Sequence, residues 1–349
     1  MATNIDITKS RYLTTVVDIG ARYGMHPSWN GFGGDMRYIA FEPDSEEAER
    51  LRQANCDGKF EVIEAAVLNK EGEFDFNLLV HRGMSSFLVP DMQSESFKDL
   101  KPGLGNIERT IKIRTKPLDC FSRDYAWSVD FLKVDTEGTE HEVIVSGDQT
   151  IKEGVLGIRS SVNFNPSFHD QTLFSTTHDY LIKQGFMLLN LDYFGFGYPK
   201  LGLFKKPDPS LPESQRYGVL AACDAVWIRR PIYLGTMERC SDRIGMESTV
   251  LKLAYFCLLN EAPDVAADIL NSFCLDQSGW QLKETLESRV FKSLRLEMLK
   301  YLGKWRTVPD ETWDKARAIF RTIFEVELKG GSEFYPQLHR MAAELSKGH

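Results

Sequence analysis

Apolar and polar positions follow two rhythms along this chain. Up to about residue 230, short β-branched and aromatic runs alternate with stretches of helical spacing. The segment 14–19 reads as a first strand, 37–42 as a second and 60–63 as a third. Ser45 is placed to cap a helix from Glu46 to Ala54, whose acidic first turn suits the helix dipole. Phe74–Val80 and Ile111–Thr115 alternate as strands. Between them lie a polar turn, Arg82–Ser86, and an irregular stretch, 88–108, with two prolines and two glycines. A connection of that length is usually a lid, a binding loop or disordered. A short helix starts at Pro117, and the apolar run Val129–Asp135 is a strand that ends in an acid. A helix follows over Thr139–Ser146 and closes at Gly147. Strands over 155–164, Phe186–Tyr193 and Ala221–Arg229, with a helix over 171–184 capped by Gly185, complete this part. Residues 1–13 read as a polar lead-in, 25–37 as a short turn of helix followed by a loop, and 195–217 as a loop.

After Pro231 the spacing becomes helical throughout, with helices expected over 247–261, 263–274, 279–302, 310–328 and 333–346. The chain therefore divides near 232–245, into an α/β domain over 1–232 and a helical subdomain over 240–349. Strand–helix alternation up to residue 190, then strand–loop–strand, predicts a mostly parallel sheet in the first domain.

The first strand carries the candidate chemistry. It runs into Asp18-Ile19-Gly20-Ala21-Arg22-Tyr23-Gly24, and the second ends in Glu42-Pro43-Asp44. A strand, a glycine turn at a helix start and a carboxylate closing the next strand is the layout of a nucleotide-type site. Gly20 and Gly24 let backbone pass close to a ligand, and Glu42 would accept hydrogen bonds from a ribose diol. Asp18 would repel a pyrophosphate but suits the cationic amino-acid end of S-adenosylmethionine. The G-x-G-x-x-G of a nicotinamide site is absent, which counts against an oxidoreductase. After the third strand, Glu64, Ala65 and Ala66 stand where an adenine would lie.

Composition narrows the partners. The chain has 349 residues and a net charge of −8, which argues against a nucleic-acid backbone or an anionic membrane as main partner. No apolar run suits a membrane span and no secretory leader is read, so a cytoplasmic protein is expected. The six cysteines form no C-x-x-C pair and read as reduced thiols. His169 and His178 do not match a metal-ligand spacing, and no metal is expected.

Four segments then fall into line. They are the Asp18–Gly24 turn; Phe41-Glu42-Pro43-Asp44; Gly83-Met84-Ser85-Ser86; and Asp130-Phe131-Leu132-Lys133-Val134-Asp135-Thr136-Glu137-Gly138-Thr139-Glu140. With Gly157-Ile158 and Asn163–Pro166 they resemble the FkbM family of S-adenosylmethionine-dependent methyltransferases, over about residues 14–230. The resemblance implies a class I methyltransferase fold, Rossmann-like, with seven strands, helices on both faces and the last strand antiparallel. It also implies methylation of hydroxyls on sugars, glycolipids or polyketide-like products. Two positions depart from the family. Arg22 stands where asparagine is frequent, either to pair with the cofactor carboxylate or to turn outward. Arg159-Ser160-Ser161 replaces acids found after Gly-Ile in many relatives, which touches substrate type and activity.

Roles follow from the chemistry. A sulfonium methyl is already activated, so the protein must align an acceptor oxygen and help to remove its proton. Asp135, at the carboxyl end of its strand, is the candidate base or hydroxyl orienter, with a helix N-cap as the alternative. Glu137 bonds substrate or the cofactor amino group, or else stabilises its turn. Ser85 and Ser86 contact cofactor or acceptor, or cap the turn. Lys133 is expected to point away from Asp135's surroundings. Trp29 and the Tyr193–Tyr198 run are candidates for stacking on a flat acceptor. The expected partners are a small-molecule or glycan acceptor and, through the helical region, a second copy or a glycosyltransferase. A catalytically divergent binding module on the same fold is the rival reading.

Overall fold

The computed structural model describes residues 13–26, 29, 36–54, 60–98, 101–197 and 219–275, with 299, 317, 321, 326–330 and 333–346. The chain forms two compact units, one of Met1–His26 with Gly34–Tyr233 and one of Pro27–Gly33 with Leu234–His349.

The first unit is built on strands β1 (Thr14–Ile19), β2 (Met36–Phe41) and β3 (Phe60–Ile63), with helix α1 (Ser45–Ala54) between the last two. A small excursion follows: β4 (Ala66–Val67), β5 (Gly72–Leu79), α2 (Glu95–Lys98) and β6 (Ile107–Lys116). The chain returns through α3 (Leu118–Tyr125), β7 (Phe131–Val134), α4 (Glu140–Val145), α5 (Asp148–Glu153), β8 (Gly157–Asn163) and α6 (Phe174–Lys183). It ends on the long pair β9 (Phe186–Gly197) and β10 (Val219–Arg229). The main sheet has the order β3-β2-β1-β7-β8-β10-β9. β10 is antiparallel to both β8 and β9, and the pairs from β3 to β8 are parallel. This is the predicted seven-stranded class I arrangement. Successive strands leave β1 toward β3, and β7 then pairs on the other side of β1, so the switch point opens between the ends of β1 and β7.

Side-chain alternation gives the sheet two unlike faces. Val17, Ile19, Ile39, Phe41, Leu132, Val134 and Ile158 pack with Leu118, Phe121, Val143, Ile144, Ile151 and Leu181 from the helices as one buried core. The opposite face carries Asp18, Lys133 and Arg159, brought side by side by the strand registers, with the Tyr38 hydroxyl reaching Asp18 from β2. The excursion strands form a separate sheet, β4-β6-β5, with its own core of Ala66, Phe76, Leu78 and Ile113.

Several boundaries differ from expectation. The capping residue of α1 is Asp44, whose Oδ1 accepts the Glu46 N–H at 3.2 Å. Ser45 is already helical and donates instead to Glu64 at 2.7 Å. The stretch 88–108 is not wholly irregular, because it holds α2 and a bridge between Pro90 and Phe168. The helix expected over 139–146 is followed by a second, α5. Residues 195–197, expected in a loop, continue β9, while Tyr198 and 199–217 lie outside the described residues.

In the second unit, α7 (Arg243–Leu259), α8 (Pro263–Leu275) and a helix over Phe334–Ser346 are described. Asp242 caps α7 by accepting the Gly245 N–H at 2.6 Å. Residues 327–330 are not helical, against the expected helix over 310–328; most of that segment and of 279–302 lies outside the described residues. Trp29 is buried in this unit and stacks on Phe256 at 5.6 Å. It is a packing residue here, which corrects its expected place against an acceptor. No described helix is long and apolar enough to cross a membrane.

Candidate active site

The turn after β1 is forced by backbone geometry. Gly20 has φ +84°, and a Cβ there would collide with the Asp135 carbonyl oxygen. The β1 and β7 turns therefore meet only through a glycine, and the Asp135 N–H donates to the Ile19 carbonyl at 2.9 Å. Gly20 and Ala21 both donate to the Phe41 carbonyl, which ties the turn to the end of β2.

Beside this junction lies an open cleft of about 560 Å³. Gly20, Arg22, Glu42 and Pro43 form one wall. Ala65, Ala66, Phe76 and Phe87 give it an apolar end. Arg82, Gly83 and Ser85 close another side, and Asp135, Thr136, Glu137 and Thr139 line the β7 end. An aqueous mouth with an apolar end and carboxylates on two sides suits a ligand with a flat ring, a diol and a charged tail.

The carboxylates differ by environment. Glu42 is buried, and burial pushes it up to about 7, against the Asp44 N–H and Arg22. That N–H donates to Glu42 at 2.9 Å, and Arg22 lies 3.9 Å away. Arg22 makes its closer pair with Asp44, at 3.1 Å. Glu137 is raised well above the ordinary value by burial and then by the neighbouring Asp135 and Glu140 charges. Its backbone is left-handed at φ +55°, and its carbonyl accepts from Ser86 Oγ at 2.7 Å. Glu140 accepts the Thr136 and Gly138 N–H groups at 2.8 and 3.0 Å, and burial holds it near 7. Asp135 keeps 43% of its side chain exposed.

Residues 18–188 match the model of the methyltransferase FkbM domain. This chain carries an FkbM methyltransferase domain. S-adenosylmethionine is the cofactor of that domain. No curated protein matches the chain. Among solved structures, methyltransferase FkbM from Methylobacillus flagellatus KT is similar at 15% identity and a TM-score of 0.33, over 62% of this chain and 43% of that one. A precorrin-6y C5,15-methyltransferase from Geobacter metallireducens GS-15 is similar at 12% identity and a TM-score of 0.29, over 62% and 80%. An S-adenosylmethionine-dependent methyltransferase from Listeria monocytogenes is similar at 9% identity and a TM-score of 0.32, over 63% and 92%. The chain thus spans under half the length of the FkbM structure it matches.

The FkbM cleft brings together Gly20, Arg22, Glu42, Pro43, Ala65, Ala66, Ser85, Asp135 and Glu137 from the expected set. The remaining members lie off it. Asp18 is fully buried, bound by the Tyr38 hydroxyl and by Lys133 at 3.0 Å, so it does not present a carboxylate to a ligand. Gly24 faces Leu51 of α1, and Ala21 is buried. Glu64 turns to Ser45 and Arg52. Asp44 caps α1 and holds Arg22, and Ser86 serves the Glu137 turn. Lys133 does not point away: it lies 3.5 Å from Asp135. Arg82 and the phenylalanines Phe76 and Phe87 were not foreseen. The Gly83–Ser86 motif beside Arg82 was the only local signal, because the small sheet that places all three depends on long-range pairing.

His26, also unforeseen, is half-buried on the charged face; burial, then Arg159 and Lys133, pulls it down to about 4. Arg159 is buried and pairs with Asp224 at 3.0 Å and Asp192 at 3.3 Å. The departure from the family at 159 is thus accommodated by acids on β9 and β10.

Proposed function

We propose that this protein is an O-methyltransferase that acts on a hydroxyl of a sugar, a glycan or a secondary metabolite. The observation that carries the reading is Asp135, half-exposed at the switch point and at the end of the cleft. S-adenosylmethionine supplies the methyl group on its sulfonium. Glu42 accepts hydrogen bonds from the ribose diol, and Ala65 and Ala66 leave room for the adenine ring. Arg22, fixed by Asp44, bounds the same wall. Asp135 orients the acceptor hydroxyl and takes its proton as the oxygen gains its methyl group. Glu137, its carboxyl pushed above the ordinary value by burial and by the neighbouring Asp135 and Glu140 charges, lines the same end. The acidic surface balance supports a neutral or glycan acceptor rather than nucleic acid, in the cytoplasm. Residues 1–232 act as the catalytic domain, and 240–349 as a helical subdomain that docks a second copy or a glycosyltransferase.

The binding-module reading draws on Arg159, which is buried and paired with Asp192 and Asp224. Two measurements separate the readings. Calorimetry with S-adenosylmethionine should give binding, and its absence in a folded sample would sink the enzyme reading. Labelled methyl transfer to a panel of glycans should fall at least about a hundredfold in Asp135→Asn while cofactor binding persists. Unchanged transfer would remove Asp135 from the chemistry.

A further inference from the structure

Lys133 stands between two carboxylates that the sequence places far apart. Its Nζ is 3.0 Å from Asp18 Oδ1, 3.0 Å from the Gly20 carbonyl oxygen and 3.5 Å from Asp135 Oδ2. The geometry has a simple origin. Asp18 and Lys133 are register partners on adjacent parallel strands, and Lys133 and Asp135 are two residues apart and share a face. Exposure rises along the row, from 0% at the Asp18 side chain to 12% at Lys133 and 43% at Asp135.

One cation cannot neutralise two carboxylates. The shorter contact and the complete burial assign Lys133 to Asp18, because an unpaired charge is costliest where water is absent. The excess negative charge then rests on the carboxylate that water and ligands reach. Burial pulls Lys133 down, but Asp18 and Asp135 together outweigh it and keep the lysine above its ordinary value. Burial pushes Asp18 up, against the pull of Lys133.

We propose that Lys133 is a positioning residue that neutralises Asp18 and leaves Asp135 as the negative charge met by the cofactor's sulfonium. Asp18 then acts on the cofactor only through Lys133. This rests on the reading of Asp135 given above.

S-adenosylmethionine carries a positive sulfur, and S-adenosylhomocysteine is the neutral thioether. The ratio of their affinities reports the local charge, whereas damage to the fold weakens both alike. Asp18→Asn frees Lys133 to pair with Asp135 alone and removes the excess charge. By calorimetry, the preference for the sulfonium should fall roughly three- to tenfold in Asp18→Asn. It should return in Asp18→Asn/Lys133→Met, which deletes the pair together and leaves no buried charge alone. Circular dichroism checks that each variant is folded. An unchanged ratio in Asp18→Asn, or no recovery in the double variant, overturns the proposal, provided Asp135→Asn lowers the ratio. An unchanged ratio in Asp135→Asn overturns the parent reading of Asp135, and this one with it.

Discussion

Glu42 offers a case in which stability and ligand binding should move in opposite directions. Burial raises its carboxyl from 4.5 to about 7 in the folded chain. Between those two values the folded state holds a proton that the unfolded state has lost, so stability falls as pH rises through this window. At about 1.4 kcal/mol per unit, the full loss is roughly 3 kcal/mol above pH 7. Glu42→Gln keeps the shape and still accepts the Asp44 N–H, but carries no charge to bury. In the absence of cofactor, the variant should match the wild type near pH 5. It should exceed it at pH 8 by about 6 °C or more in Tm, on the scaling for a domain of this size. Cofactor affinity should go the other way. A ribose diol donates more strongly to a carboxylate than to an amide, so calorimetry at pH 8 should show roughly ten- to a hundredfold weaker binding. At pH 6 the gap should narrow, because the wild-type group is then largely protonated. Thermal melts from pH 5 to 8 that run parallel in the two proteins would refute the buried-charge argument. Equal affinity at pH 8 would remove Glu42 from the ribose.

Gly20→Ala forces a side chain into a left-handed backbone and against the Asp135 carbonyl, so it should lose cofactor binding in calorimetry and at least about 2 kcal/mol in denaturant titration. Trp29→Ala should cost about 3–5 kcal/mol in the same titration, because it removes a buried ring stacked on Phe256. A stable Trp29→Ala protein with lost acceptor binding would restore its surface role.

The parts of the fold that rest on contiguous pattern were legible. β1 and β7 announce themselves as apolar runs that end at Gly20 and Asp135, and the strand count up to Arg229 gives the sheet. The cleft was legible where backbone alone builds it: at Gly20, at Glu42 and Pro43, and at Ala65 and Ala66. Glu64 was misplaced because its carboxylate is claimed by α1, through Ser45 and Arg52, and no local spacing encodes that claim. The small sheet was harder still. Its strands β5 and β6 were visible, but β4 was read as a turn, and β6 pairs with both β4 and β5 across the excursion, so nothing local showed that Phe76 reaches the cleft.

Asp18 and Lys133 show where the reading of a motif and the physics of a sheet part company. An acid at the end of β1 was read as a ligand for a cation, and it does bind one, but the cation is the protein's own. The partner is 115 positions away and becomes its neighbour only when β7 slots beside β1. Lys133 itself was assigned to the wrong side, although a period of two puts it on the face of Asp135. Correcting that single orientation changes the account of the site. The acid buried in the turn becomes support, the lysine becomes the link, and the exposed acid at the other end of the row carries the charge. Arg159 repeats part of the arrangement one strand further on, buried against Asp192 and Asp224, both more exposed than itself, as Asp135 is more exposed than Lys133. The exposed groups of that row are therefore the carboxylate oxygens of Asp135, Asp192 and Asp224 rather than guanidinium or ammonium. Such a surface favours molecules that donate hydrogen bonds, as the proposed hydroxyl acceptor does.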